Sequence, residues 1–545
     1  MDNILNIQTL WEGFDLNAEP LDTVVLCETK DHSITSKRLY FTGRSFANGK
    51  SRVLGEVYSK GSCGGKPAVL VIGDYDCAMD VSILDDLAHR GFVAMSIDMA
   101  GRREEGLYTL YPEEIDYCNA DAAKTMFEIT KTARETKTFE YAVNCRRAIS
   151  YLLDEEKVSS VSVLTISRGV YVGIIVLGVE ARVKNGAILF GNIYRNFPAP
   201  KKDEIMGTEK EELDRHIAYD VRRQMWEVAL APQNYAFQIK APVYVINSAN
   251  SAHVDIIDTS KTFMRFNHDS RLFVLPTTLD YLPSKYVNGV VEWLKGCEAP
   301  QESEIKSFVD EKGDYCLRIV TNHPFEQTSM WYSTTIDSKS KNWIKAELKQ
   351  TDNGYVAKPA LYEKECNLAV FAMFEGNVTT TTPLHIEKVS ANSLKKSLNV
   401  IFSGGKGGQT LVPLCSTGAM WNVDLEPKLS KGALGIVGAQ GTSLATFALS
   451  ENSIRTNPIL TLCFDVCCKV RQRLKITGIN SFGDKNEVYS QEVEILGNGK
   501  WERITIEKID FHRVGDGRQL SETERLDVLV FSADNEFILN NIFLV

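Results

Sequence analysis

A serine placed between a run of β-branched residues and a small-residue helical pattern is a candidate nucleophile, and the chain carries one at Ser167. The stretch from Val161 to Gly173 reads V-S-V-L-T-I-S-R-G-V-Y-V-G. Val161, Val163, Leu164 and Ile166 predict a buried strand and a helical spacing starts at Gly169, so Ser167 falls on the turn between them. Such a turn lifts a hydroxyl above the carboxyl edge of a sheet, where it attacks an acyl carbon once a base removes its proton. The usual pattern is G-x-S-x-G. Here it reads Thr165-Ile166-Ser167-Arg168-Gly169, with a β-branched residue in place of the first glycine. That exchange predicts either a relaxed turn or compensating small neighbours. The residues alone leave a plainer alternative open, an ordinary strand-to-helix junction whose serine caps the helix.

Two other clusters carry less chemistry. Cys463, Cys467 and Cys468 match no common zinc spacing and have no histidine nearby before His512, so they read as part of a core strand. Ser403-Gly404-Gly405-Lys406-Gly407-Gly408 lacks the Lys-Ser/Thr pair and the following helix of a phosphate loop, and reads as a hairpin turn.

The elements that must position Ser167 begin with an irregular arm carrying Trp11 and Phe14. Asp22 to Cys27, Lys37 to Thr42 and Arg52 to Tyr58 alternate like strands, with Asn48-Gly49 as a hairpin signal. Pro67 to Gly73 and Phe92 to Asp98 are continuous apolar runs, as expected of strands covered on both faces, with a helix from Val81 to Arg90 between them. Phe139 to Leu153 has the spacing of an amphipathic helix. After the Ser167 strand come Ala187 to Gly191, a charged insertion over about 192–240, Ala241 to Ile246, Arg271 to Pro276 and a last helix from about Ser284 to Lys295. Strands alternating with helices predict a doubly wound, mostly parallel sheet.

Past Cys297 the pattern changes. Glu298 to Ser307 is polar, contains Pro300 and reads as a linker. Short alternating runs then continue to the end, with turn signals such as Asp352-Asn353-Gly354. They predict an α/β domain over 1–297, an immunoglobulin-like sandwich over 303–390 and a jelly roll over 391–545. The jelly roll is expected to bind carbohydrate only by analogy of fold. Trp421 and Trp501 read either as a sugar platform or as core residues.

Composition narrows the partners. At 545 residues the chain exceeds the size of a single core, so two to four domains are expected. A net charge of −10 and the lack of a basic run argue against nucleic acid and anionic membrane. The start, Met1-Asp2-Asn3, lacks a basic region followed by an apolar core, and no run approaches a membrane span; a cytoplasmic protein is expected. The 12 cysteines are scattered, which predicts reduced thiols. Oligomeric state is not readable, and a homo-oligomer stays open.

Over residues 1–297 the chain resembles the acetyl xylan esterase and cephalosporin deacetylase branch of the α/β-hydrolases. The resemblance rests on Leu10-Trp11-Glu12-Gly13-Phe14-Asp15, Glu19-Pro20-Leu21 and Arg38-Leu39-Tyr40-Phe41-Thr42-Gly43-Arg44. It continues through Asn144-Cys145-Arg146-Arg147-Ala148, Glu180-Ala181-Arg182-Val183-Lys184, and Trp226 with Pro232 and Tyr235. It implies a serine carboxylesterase acting on an acylated carbohydrate or other small ester, without metal or organic cofactor. It also implies a triad in the order serine, acid, histidine.

The acid belongs in Asn247-Ser248-Ala249-Asn250-Ser251-Ala252-His253, where Ser251 takes its place. The histidine belongs in Pro276-Thr277-Thr278-Leu279-Asp280-Tyr281, which has none; Asp280 or Tyr281 stands there. The oxyanion segment reads Ile72-Gly73-Asp74-Tyr75, so the N–H of Arg168 with that of Asp74 or Tyr75 is the expected oxyanion hole. Two readings follow. In one the protein is catalytically impaired and binds a carbohydrate or protein partner. In the other it is an active esterase with an unusual base, His253 oriented by Asp255. Arg102, Arg103, Glu104, Glu105 and Tyr108 either rim the pocket or form a solvated charge run.

Overall fold

The computed structural model describes residues 6–75, 79–101, 106–112, 126, 129, 132–194, 221–251, 254–276, 279–299, 303–336, 340–352, 354–390, 394, 400–404, 411–415, 418–451, 461–480, 487–521 and 524–545. The chain divides into two compact units. The first comprises Met1–Ile246, Ile257–Leu272 and Val290–Glu298, and the second Asn247–Ile256, Phe273–Gly289 and Ala299–Val545.

The first unit opens with a short helix, α1 (Ile7–Trp11), where the sequence suggested an irregular arm. Asn6 and Thr9 close a capping box around it. Trp11 stacks on Phe139 at 4.7 Å and donates to the Tyr235 hydroxyl at 3.2 Å, which ties the arm down. Strands β1 (Val24–Asp31), β2 (Ile34–Phe46) and β3 (Gly49–Lys60) follow as an antiparallel meander. All of β1 is exposed, so its second half, Glu28 to Asp31, gave no apolar signal in the sequence.

Strands β4 (Pro67–Ile72), β5 (Val93–Ile97), β6 (Ser160–Ile166), β7 (Val183–Leu189) and β8 (Val243–Ser248) pair in parallel. Strand β9 (Arg271–Leu275) follows. The order is β1-β2-β3-β5-β4-β6-β7-β8, with β9 beside β8. The central strands are buried along almost their whole length, which accounts for their unbroken apolar sequence.

Helix α2 (Val81–His89) joins β4 to β5 and starts at Asp80, whose carboxylate accepts from the N–H of Ser82. Helix α3 (Lys137–Asp154), capped by Thr136, precedes the β6 strand. Its buried Arg147 donates to the carbonyls of Thr42 and Leu16 at 3.0 and 3.1 Å, fastening β2 and the N-terminal arm to the helix. Helix α4 (Val170–Val179) follows Ser167 and is apolar all round, as a helix with no solvent face must be. A further helix spans 221–230 and buries Trp226.

In the second unit, β10 (Glu304–Val309), β11 (Tyr315–Val320), β15 (Gly354–Ala357) and β14 (Leu348–Thr351) form one sheet in that order. Strands β12 (Thr328–Ser333), β13 (Ile344–Lys345), β16 (Glu365–Phe374), β17 (Thr380–Thr381) and β18 (His385–Ser390) form another antiparallel set. Leu317, Ile319 and Tyr355 of the first meet Met330, Leu368, Val370 and Phe374 of the second in one core. The segment read as a linker runs into β10. Glu304, Lys306 and Ser307 face solvent and only Ile305 is buried, so the strand was disguised as polar chain.

The last part, from β19 (Val400–Phe402) to β28 (Val528–Leu544), pairs antiparallel around the long β28 and encloses its own core, centred on Phe464, Leu474, Phe531 and Leu539. Cys463 and Cys467 lie in β23 (Leu462–Cys467). Trp421 is buried, and Trp501 donates to the Ala433 carbonyl at 2.9 Å. No described helix is long and apolar enough to cross a membrane.

Candidate active site

Strand β6 ends at Ile166 and the chain turns at once into a short 3-10 segment, Ser167–Gly169, that feeds α4. Ser167 has φ +55°, the left-handed region that an L-residue enters only at a cost of about 1–2 kcal/mol. A serine that merely capped α4 would keep an extended backbone instead. Ser167 is half-buried, and among the described residues its hydroxyl makes no hydrogen bond.

Two glycines let this turn close. A Cβ on Gly169 would stand 2.2 Å from the Gly73 carbonyl, so the elbow rests directly on the end of β4. A Cβ on Gly173 would stand 2.6 Å from both Cβ and Oγ1 of Thr165. The Thr165 side chain therefore fills the space that a residue one turn into α4 leaves empty. The turn is not relaxed; a small neighbour compensates for the missing first glycine. The arrangement leaves the buried Thr165 Oγ1 without a hydrogen-bond partner among the described residues.

The N–H of Arg168 is the donor expected to face a developing oxyanion. It donates instead to Oδ1 of Asp74 at 2.8 Å, and the Arg168 guanidinium approaches Oδ2 of the same carboxylate at 3.3 Å. The guanidinium also lies over the Tyr75 ring, 5.5 Å from its centroid. Sequence reasoning assigned Asp74 through its backbone N–H. Its side chain adds a negative charge at that donor, and a second anion can bind there only after the first has left. The acid at 74 and the base at 168 were the available signal, but nothing in a single sequence joins positions 94 residues apart.

In the second unit, Ser251 and Asp280 come together. Ser251 Oγ donates to Asp280 Oδ2 at 2.9 Å and accepts from the Val254 N–H at 3.0 Å. Both loops are fastened to downstream segments. Asn250 exchanges two hydrogen bonds with the backbone of Lys341, at 2.7 and 2.8 Å, and Trp343 donates to the Ala249 carbonyl at 3.2 Å. Tyr281 is buried and its hydroxyl reaches the Pro413 and Leu425 carbonyls at 3.2 and 3.1 Å; burial pushes that phenol far above its ordinary range.

Asp255 is exposed just ahead of the helix Ile256–Phe263. His253 lies outside the described residues, as do Arg102, Arg103, Glu104 and Glu105. Of the described histidines, His32 and His268 are exposed beside Asp31 and Asp269, and His89 ends α2. Among the described residues no group of three or more His, Cys, Asp or Glu side chains could hold a metal ion.

No known family's sequence profile matches the chain, and no curated protein does. Among solved structures, an acetyl xylan esterase from Paenibacillus sp. R4 is 16% identical over 51% of this chain and 90% of its own, with a TM-score of 0.39. Acetyl xylan esterase 1 from Thermoanaerobacterium sp. JW/SL YS485 is 13% identical over 51% of this chain and 88% of its own, with a TM-score of 0.37. A cold-adapted esterase from an Arctic intertidal metagenomic library is 16% identical over 50% of this chain and 97% of its own, with a TM-score of 0.35. These three are esterases, two of them acetyl xylan esterases, each matched over about half of this chain.

Proposed function

We propose that this chain is an α/β-hydrolase-fold protein related to acetyl xylan esterases whose ester-cleaving machinery is disabled, and that it binds a carbohydrate or protein partner. In this reading immunoglobulin-like and jelly-roll sandwiches follow the hydrolase domain. The observation that carries the reading is the Asp74 carboxylate on the Arg168 N–H. A carboxylate at that donor opposes the charge that an acyl-transfer transition state develops. The place of the general base supports it: an aspartate, with an ordinary pKa near 3.9 against about 6.5 for imidazole, is a weak acceptor for a serine proton at neutral pH. Loss of the base from a serine hydrolase costs on the order of a millionfold in turnover.

The left-handed, half-buried Ser167 favours a second reading, an active carboxylesterase that uses His253 as base. A fluorophosphonate serine-hydrolase probe separates the two. Wild-type protein is expected to remain unlabelled at concentrations that label a working esterase. Labelling that disappears in both Ser167→Ala and His253→Ala would overturn the first reading and establish the second.

A further inference from the structure

The sheet β10-β11-β15-β14 turns Ile305, Leu317, Ile319 and Tyr355 into the core of the second unit. Strand alternation sends Lys306, Phe308 and Arg318 to the opposite face. There β10 and β11 pair antiparallel with Lys306 directly across from Arg318, and two like charges at facing positions repel. Lys306 has an exposed carboxylate at hand, Glu304, at 2.9 Å. Arg318 has no ion pair among the described residues, and its Nε is buried without a hydrogen-bond partner. Its guanidinium lies 4.9 Å from the Phe308 ring centroid. Lys306, Phe308 and Arg318 line a concavity of about 590 Å³, with Asn322 and Asp352 among its other polar walls.

A guanidinium on the wall of a concavity, without an ion pair among the described residues, calls for an acceptor at its outer N–H groups, and an oxyanion supplies one with a charge-assisted bond. The same anion would relieve the repulsion between Lys306 and Arg318. Lys306 is already paired with Glu304, so among the described residues Arg318 is the one cation here without a carboxylate, and with Asp352 on the same wall the concavity suits a monoanion better than a dianion. Asn322 and Asp352 are also suited to hydroxyl groups, since amide and carboxylate oxygens accept from them. We propose that this concavity is a binding site for a small hydroxylated monocarboxylate, whose carboxylate is held between Arg318 and Lys306.

Titration calorimetry of the full chain tests this with D-gluconate as probe, and with sorbitol as a neutral polyol and inorganic phosphate as comparisons. Gluconate is expected to bind saturably in the millimolar range or tighter, more weakly as salt rises, while sorbitol gives no binding heat. Arg318→Gln should weaken gluconate about tenfold or more, the loss of one charge-assisted contact, and Lys306→Gln by a smaller factor. Absence of binding to wild-type protein, or equal affinity in wild type and both variants, would overturn the assignment. Phosphate binding more tightly than gluconate, with the same dependence on Arg318, would overturn the monocarboxylate class. Circular dichroism melts of each variant guard against a folding defect, and Lys306→Gln changes only an exposed side chain.

Discussion

Arg168 gives both its backbone N–H and its guanidinium to one carboxylate, that of Asp74, at 2.8 and 3.3 Å. This clasp holds an anion against the first peptide after Ser167. Asp74→Ala removes the anion and leaves the N–H open. Hydrolysis of p-nitrophenyl acetate is expected to rise about 100-fold, the lower end of one oxyanion donor's effect, and the gain should vanish in Asp74→Ala/Ser167→Ala. An unchanged rate would mean that the clasp does not limit the serine.

Gly173→Ala tests the packing behind the elbow. In an ordinary helix this change stabilises by a few tenths to about 1 kcal/mol. Here the new methyl would meet Thr165 at 2.6 Å, so we expect a loss of about 1–3 kcal/mol, read as a lower melting temperature. Thr165→Ala in the same chain should return most of the loss, because the two side chains compete for one volume.

Ser251→Ala removes a donor to Asp280 and an acceptor for the Val254 N–H together. The melting temperature should fall by an amount equivalent to about 1–3 kcal/mol. If the change is neutral, water replaces both bonds.

Acid should weaken the C-terminal β region through Glu524. Burial opposes ionisation there, but hydrogen bonds from Ser521 and Tyr489 and the charge of Arg518 outweigh it and hold the carboxyl at about 2. A pKa depressed in the folded state adds stability above the unfolded value, near 4.5, and loses it as pH falls towards 2. Melting temperatures measured from pH 5 down to about 2 should therefore fall more steeply for wild type than for Glu524→Gln.

Among the described cysteines, thiol alkylation followed by peptide mapping should mark Cys27 first, since it is exposed on β1. Cys297 is exposed too, but its hydrogen bond to the Glu292 carboxylate pushes its thiol up and should slow it. Cys145, fully buried in α3 with its thiol pushed far up by desolvation, should react only on unfolding.

The sequence was legible where burial imposed a pattern. The runs ending at Ile72, Ile97 and Ile166 are apolar because both faces of those strands are covered, so they could be read one after another. Half of β1 and most of β10 escaped because their side chains meet water. Ser167 was visible because a strand pattern changes to a helix pattern at that residue. A small neighbour beside Thr165 was one of two alternatives that the sequence left open, the other being a relaxed turn, and that Gly173, eight positions on, would supply it was not legible. The Asp74 carboxylate on Arg168 and the Ser251–Asp280 bond were not legible. Each joins loops distant in sequence, and only the folded sheet brings them together.

The left-handed backbone at Ser167 is held by Gly169 against Gly73 and by Gly173 against Thr165, contacts in which no proton-transferring group takes part. Shape and reactivity are thus separable here. A designer who wished to change the acyl-transfer chemistry of this scaffold would inherit the hardest geometric element ready-made, and would need to exchange side chains rather than rebuild a loop.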